Sequence, residues 1–438
     1  MIVMKFGGTS VGGAAAVRQV VEVVRGQLDR QPVVVVSAHA GVTDALAAAA
    51  HAAAEGDADT DAIAARHRAI LRDLGLDEEL LDPLLAELRD LARGVRLVGV
   101  ASPKVVDAML SYGERLSARV VAAALSSSGV PAAAVDAFTA GLRTDSSFGR
   151  ARPLPDDGRF RRHLERVQGV PVVTGFLGAD EHGDITTLGR NGSDYSAAWI
   201  GVAIAADEIQ IWKDVDGVHT ADPRLVDEAK PIRRMSFADV ADLASFGSRV
   251  LHPAAMVPAM QNGIPLKVRN TLQPEAPGTT IVGEVEGPRS AVHAIAHRDG
   301  AALVTVRSHR MVPQHAFLGR VFWLLADMGC DVGPVAVGEA AVTIAVAAGM
   351  ADALCERFAG LGEVSRVDDC AVVGVIGDPA RLERGGTADV LTVLSDAGIA
   401  VRCAGLGALG STVAFAVDAA RLADTVRLLH RRFFCETR

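Results

Sequence analysis

Up to about residue 285 the chain alternates short β-branched runs with alanine-rich stretches whose apolar positions recur every three or four residues. IVMKF precedes a helix expected over 14–29, and PVVVVSA (32–38) precedes another that starts at Asp44. Strands are then expected at 130–137, 169–178 and 208–215, with a helix over 195–206. Such strands are apolar on both sides, which predicts an α/β fold with a largely parallel sheet sandwiched by helices. The stretch 57–96, with LDEELLDPLLAELRDLARGV inside it, is charged with helical spacing and reads as an exposed helical insertion.

A segment rich in Pro, Gly and Glu (272–290) marks a boundary, and the rhythm then changes. Strand 301–309, helix 317–329, the strands CDVGPVAV and AAVTIAVAA and a helix over 351–359 form one set. The pattern restarts with CAVVGVIGD (370–378), a helix over 388–397, IAVRCAG, STVAFAVD and a last helix from Ala419. These are two successive βαββα repeats. The expected division is 1–285, 300–369 and 370–438.

Composition narrows the function. Half of the 438 residues are apolar, so a large core is available, and aromatics are only 4%. A net charge of −9 argues against nucleic acid or an anionic membrane as the main partner. Apolar runs such as 33–36 are too short to span a bilayer. The five cysteines form no CxxC pair, which suits a reduced, cytoplasmic protein. Basic residues are mostly Arg, and only five are Lys: Lys5, Lys104, Lys213, Lys230 and Lys267.

Several motifs bear chemistry. In KFGGTSVGG, Gly7 and Gly8 let the backbone approach phosphate oxygens, Ser10 offers a hydroxyl, and Lys5 supplies charge for a transferring phosphoryl group. The lysine precedes the glycines, the reverse of a Walker loop, and no GK pair exists elsewhere. In TTLGRNGSDYSAA, Arg190 can grip a carboxylate, while Asp194 is either a functional carboxylate or an N-cap of the helix that follows. Glu114 in SYGERLSA, expected near a helix start, either pairs with a substrate ammonium or favours the helix dipole. VSAHAGVTDAL offers Ser37 and Thr43, and IWKDVDGVHTADPR follows a strand where open α/β sheets bind nucleotides. GLGALG (405–410) matches a dinucleotide fingerprint, yet STVAFAVD behind it alternates like a strand, so a hairpin turn is expected.

Together these segments resemble the aspartate kinases of the amino-acid-kinase family. KFGGTSV, SAxAGVT, SxGERLSA, TTLGRxGSDYSAA, WKDVDGVxTADPR and MSFADVADLASFGSRVLHPAAMVPA occur in family order, and the tandem repeats resemble the family's ferredoxin-like ACT domains. The resemblance implies transfer of the ATP γ-phosphoryl group to the β-carboxylate of L-aspartate. It implies Lys5 at the transferring phosphoryl group, Asp194 organising the lysines, Arg190 at the α-carboxylate, Glu114 at the α-ammonium, and Ser37 and Thr43 on aspartate. Gly7, Gly8, Ser10, Lys213, Asp214, His219, Arg224 and Arg249 would line the nucleotide site, with Mg2+ bridging the phosphates and few or no protein ligands to it. A monofunctional homodimer joined through 300–438, with an amino-acid effector at the ACT domains, is expected.

Three residues depart from the family pattern: His39, His219 and Arg249 stand where Ser, Tyr and Lys are commoner. In the regulatory part, Met311, Phe317 and Leu318 fit lysine-inhibited relatives. Gln314, Ala316, Gly333 and Gly338 occupy expected Ser, Gly, Asp and Ser positions, so lysine inhibition is expected to be weak or absent. Glutamate 5-kinase or acetylglutamate kinase activity and a silent amino-acid sensor are the competing expectations.

Overall fold

A computed structural model describes residues 1–247, 250–287, 290–308, 314–407 and 410–435. The chain divides into two units, and the cut is not a single point. The first comprises Met1–Val218, Arg233–Phe237 and Leu251–Glu284; the second comprises His219–Ile232, Ala238–Val250 and Val285–Arg438. Arg249 and Met311 lie outside the described residues.

The first unit runs β1 (Ile2–Phe6), α1 (Ala14–Arg25), β2 (Pro32–Val36), α2 (Val42–Ala54), α3 (Asp61–Leu74), α4 (Asp82–Val98), α5 (Pro103–Ser127), β3 (Ala132–Val135), α6 (Ala137–Ala140), α7 (Arg159–Leu164), β4 (Val170–Thr174), β5 (Leu177–Ala179), β6 (Ile185–Thr187), α8 (Gly192–Ala203) and β7 (Glu208–Lys213). It continues with β8 (Arg234–Ser236), then α9 (Phe237–Ser245), which crosses into the second unit, and resumes with α10 (Pro253–Gln261), β9 (Leu266–Asn270) and β10 (Thr279–Val282). Eight strands form one sheet in the order β3-β4-β2-β1-β7-β9-β10-β8. Six neighbouring pairs are parallel and only β9–β10 is antiparallel. β1, β2 and β4 are buried along their whole length, as strands covered on both faces must be. Trp212 fills the centre, stacked on Phe6 with ring centroids 5.8 Å apart, while the Arg269 guanidinium lies 4.6 Å from the ring centroid.

The stretch 57–96 is helical but is not an exposed insertion. Ile63, Ile70 and Leu71 of α3 and Leu84, Leu85, Leu88 and Val95 of α4 are buried in the same core as β1, β2 and α5. The 3.6-residue apolar stripe that identifies the helices is what docks them. Their charges stay on the outer side, where Arg68 meets Asp82 at 2.6 Å and Arg72 meets Glu78 at 2.7 Å.

In the second unit β11 (Val292–Ser308), α11 (Gln314–Asp327), β12 (Val335–Val337), β13 (Ala341–Ala347), α12 (Ala348–Phe358), β14 (Gly362–Gly377), α13 (Pro379–Arg381), α14 (Thr387–Asp396), β15 (Cys403–Leu406), β16 (Thr412–Asp418) and α15 (Leu422–His430) build a six-stranded antiparallel sheet ordered β12-β13-β11-β14-β16-β15. The repeats share two long strands. The second half of β11 pairs with the first half of β14, and Val292–Arg298 pairs with the β14 stretch that ends at Gly377. The second repeat therefore takes an outer strand from residues that precede the first. Register shifts at Arg298/Ala301 and Ala301/Leu303, with positive φ at Gly300 and Asp369, bend the strands between the halves. Each half has its own core, one around Val373, Phe415 and Leu429, the other around Val304, Ile344 and Phe358. β15 and β16 form the antiparallel hairpin expected around GLGALG, so that motif opens no helix.

Candidate active site

Parallel pairing aligns β1, β2 and β7 so that Lys5 lies beside Val35 and Ile211, and the carboxyl ends of all three strands open on one side. Ligands of open α/β sheets bind beyond such ends. Lys5 is 5% exposed, and its Nζ stands 2.5 Å from Asp194 Oδ1. Lys213, the last residue of β7, places its Nζ 3.4 Å from Asp194 Oδ2.

Asp194 is not the N-cap of α8. That position belongs to Asn191, at φ +58°, and Asp194 sits in the first turn with its carboxylate on the two lysines. The helix start must be glycine at 192, because a Cβ there would stand 2.7 Å from the Phe176 ring and 2.9 Å from Leu188 Cβ. Burial alone would raise the Asp194 pKa; Lys5 and Lys213 more than offset this and hold the carboxyl below its usual range. The result is a triplet carrying net positive charge, with Lys5 and Asp194 buried and Lys213 partly exposed.

Glu114 lies in the middle of the 25-residue α5, far from either end, which removes the helix-dipole alternative. Gly113 lets this helix approach the loop after β2: a Cβ would come within 2.7 Å of Ala38 Cβ. Glu114 Oε1 accepts the Ala38 N–H at 3.0 Å, while Oε2 is buried with no hydrogen-bond partner. Burial pushes the Glu114 pKa up to about 8, against the Ala38 and Glu114 N–H groups and the Lys5 charge, which pull it down. A buried carboxylate with one free oxygen is a receptor for a cationic donor.

The other residues expected here fall into three groups. Ser37 and Thr43 are half-buried on the loop and first turn beyond β2, and Arg190 is exposed in the turn between Gly189 (φ +73°) and Asn191. The glycine loop packs closely: the Gly7 N–H donates to the Trp212 carbonyl at 3.3 Å, and the Gly8 carbonyl accepts the Ala40 N–H at 3.1 Å. Ser10, by contrast, turns inward. Its hydroxyl lies 3.3 Å from the Trp212 carbonyl and 2.8 Å from Thr271 Oγ1, so it fixes the loop rather than offering a free donor. Asp214 is exposed beyond β7. His219 and Arg224 belong to the second unit, where Ala221 and Val226 from the same segment join its core. Arg224 folds onto Asp222, with an Nη2–Oδ2 distance of 2.7 Å. The WKDVDGVHTADPR segment is thus divided between units after Val218.

Sequence reasoning missed the Ala38 N–H, which as a backbone group leaves no signal. It also missed the neighbourhood of His39. That ring is buried, bonds through Nδ1 to the Val11 carbonyl and lies 5.2 Å from the His67 ring. Burial, then His67 and Arg66, lowers the His39 pKa to about 3 despite the opposing Val11 bond. A neutral ring that donates from Nδ1 ties the glycine loop to the loop after β2.

The amino acid kinase family matches residues 1–270. Lysine-sensitive aspartokinase 3 of Escherichia coli is 32% identical, with 99% of each chain covered. Chloroplastic aspartokinase 1 of Arabidopsis thaliana is also 32% identical, over 99% of this chain and 80% of that one. The crystal structure of E. coli aspartokinase III with aspartate and ADP superposes with a TM-score of 0.80 at 30% identity, covering 99% of this chain and all of the other. Its counterpart with lysine and aspartate gives 0.85 at 31% identity, covering 99% of both chains. Sequence and fold agree, and the chain belongs to the amino acid kinase family, among the aspartokinases.

Proposed function

We propose that the aspartate kinase reaction, transfer of the ATP γ-phosphoryl group to the β-carboxylate of L-aspartate, runs at the carboxyl ends of β1 and β7. Lys5 and Lys213 meet the transferring phosphate, Asp194 holds the two lysines, and Glu114 and Arg190 take the α-ammonium and α-carboxylate. Ser37 and Thr43 contact the amino acid from the loop beyond β2, and Gly7, Gly8 and Asp214 face the nucleotide. The observation that carries this reading is the contrast between two buried carboxylates, Asp194 ion-paired with two lysines and Glu114 in no ion pair among the described residues, with its Oε2 unpartnered.

The chemistry needs little more. A side-chain carboxylate is ionised at neutral pH and attacks without a general base. What remains is to bring two anions together in line, which takes positive charge already fixed in place. Lys5, held by Asp194, offers that charge without reorganising. Among the described residues no three His, Cys, Asp or Glu side chains converge to hold a metal. Mg2+ carried on the ATP phosphates would neutralise charge there, while the protein positions the nucleotide. The product, 4-phospho-L-aspartate, opens the synthesis of aspartate-derived amino acids.

Regulation by lysine is weak in this reading. Gln314 at the start of α11 donates to the Gly338 carbonyl at 3.1 Å, and Gly333 carries no side chain to face an effector ammonium. The protein works in the cytoplasm as a homodimer joined through the second unit, whose α11 leaves Trp323 64% exposed. Among the described residues no helix is long and apolar enough to cross a membrane.

The test is turnover of ATP with L-aspartate and Mg2+, trapping the acyl phosphate with hydroxylamine, with and without lysine. Hydroxamate from aspartate that low-millimolar lysine leaves undiminished is expected. Hydroxamate from glutamate or acetylglutamate instead would sink the substrate assignment, and strong suppression by lysine would sink the regulatory one.

A further inference from the structure

The apolar face of α5 carries a second buried carboxylate besides Glu114. Asp107 is 1% exposed and makes three hydrogen bonds. Oδ2 accepts the Gly149 N–H and the Thr187 N–H, each at 2.8 Å, and Oδ1 accepts the Thr187 hydroxyl at 2.8 Å. Burying a carboxylate is costly, and an apolar residue would fill the same space more cheaply. The three donors belong to two segments that lie beside the Arg190 turn. Thr187 ends β6, three residues before Arg190, and its carbonyl accepts the Ala151 N–H at 2.9 Å. The Gly149 carbonyl packs against Gly189, standing 3.1 Å from where a Cβ would be.

Asp107 and Glu114 are seven residues apart, two turns or about 10 Å along one helix face. Asp107 thereby ties the turn that bears Arg190 to the helix that bears Glu114. We infer that Asp107 is a positioning residue that sets the spacing between Arg190 and Glu114, and through it the affinity for L-aspartate and the rejection of the amino acid one methylene longer. The inference rests on the roles proposed above for those two residues. It predicts an effect confined to the amino-acid end, because Lys5 and Lys213 are placed by strands that Asp107 does not touch.

Steady-state kinetics of the full chain with L-aspartate, L-glutamate and MgATP test it. Asp107→Ala is expected to raise the KM for aspartate by about tenfold or more, since misplacement of about 1 Å costs up to about a hundredfold. The KM for ATP stays within about twofold, and the preference for aspartate over glutamate in kcat/KM narrows. Asp107→Asn restores most of the loss, because its amide oxygen accepts both N–H groups and its NH2 group faces a hydroxyl that can turn to accept. Thr187→Val deletes one bond and raises the aspartate KM by a few fold, deciding the matter should Asp107→Ala fail to fold. Equal losses toward both substrates, or an unchanged preference, would overturn the inference. Glu114→Gln and Arg190→Ala serve as the reference pair. Should they leave the aspartate KM unchanged, the site assignment itself fails; should they raise it while the Asp107 and Thr187 variants do not, only the role of Asp107 falls.

Discussion

Two carboxylates of the first unit are almost equally buried and differ in everything else. Asp194 is 4% exposed and sits between two lysines; Glu114 is 2% exposed and has one backbone donor and one oxygen without a partner. At the end proposed to meet the phosphate, two lysines are fixed on one carboxylate before any ligand arrives, which leaves a net positive charge in place. At the proposed amino-acid end one carboxyl oxygen is left without a partner, and in the roles proposed above the substrate's ammonium takes it. The lesson is that preorganisation is spent where charge moves during the reaction, while recognition is left unsatisfied so that binding can satisfy it.

The largest effects break the first half of this contrast. Lys5→Met is expected to lower kcat by about a thousandfold with little change in the aspartate KM, because fixed charge at the transferring phosphate acts in the transition state. Asp194→Asn leaves two lysines facing a neutral amide and is expected to cost about 3 kcal/mol of stability as well as activity. Stopped-flow phosphoryl transfer and denaturant melts check the pair. Glu114→Gln should behave in the opposite way. It mimics the protonated acid and so folds with unchanged stability, but the aspartate KM rises by about a hundredfold as a charge-assisted bond is lost. Loss of stability in Glu114→Gln comparable with that in Asp194→Asn would erase the distinction.

How much of this was legible in the sequence follows the same division. Lys5, Arg190 and Asp194 announce themselves through glycine-flanked motifs, since close approach of backbone to ligand demands glycine. The parallel sheet was equally plain from its doubly apolar strands. The burial of α3 and α4 was not, because a stretch with so many charges reads as exposed until tertiary packing selects its apolar stripe. Nor was the environment of Glu114: its helix begins eleven residues earlier, at Pro103, and its partner is the backbone of Ala38. Asp107 went unread because a lone Asp on an apolar helix gives no hint of the N–H groups that meet it. Ser10 was read as a hydroxyl offered to phosphate, yet it bonds to Thr271, a residue 261 positions away. The interlocking of the two repeats through β11 and β14 is also long-range, and local patterns carry no information about it.

A smaller effect sharpens the second half. With a pKa of about 8, Glu114 is largely protonated at neutral pH in the free protein and must lose that proton to receive an ammonium. The value of kcat/KM for aspartate is expected to rise about tenfold per pH unit below 8 and then level off, with kcat much flatter. Calorimetry at pH 7 in buffers of different ionisation enthalpy should show about one proton released per aspartate bound. The folded pKa lies above the unfolded value near 4.5, so this group's contribution to stability is complete below 4.5 and is lost as pH rises through about 8. Saturating aspartate should remove that alkaline loss. A kcat/KM flat from pH 6 to 8 would show that Glu114 is already ionised and that the two carboxylates are alike.

His39, next in sequence to the Ala38 that holds Glu114, gives the smallest effect and the opposite sign. Its pKa near 3 lies below the ordinary value of 6.5, so its contribution is complete above 6.5 and is lost as pH falls toward 3. The charged groups acting on it are His67 and Arg66, both of which oppose its protonation. His67 is itself buried and lowered, chiefly by burial, so acid loads the pair rather than one ring. His39→Ser removes one member and is expected to shallow the fall in thermal stability between about pH 6.5 and 4.5 without abolishing it. Because the ring also bridges Val11 to the loop after β2, the same change costs about 1 kcal/mol at pH 7.5, where neither histidine is charged. Melting curves across that range measure both effects. An unchanged acid slope in His39→Ser would mean that acid stability is set elsewhere and that this loop plays no part in it.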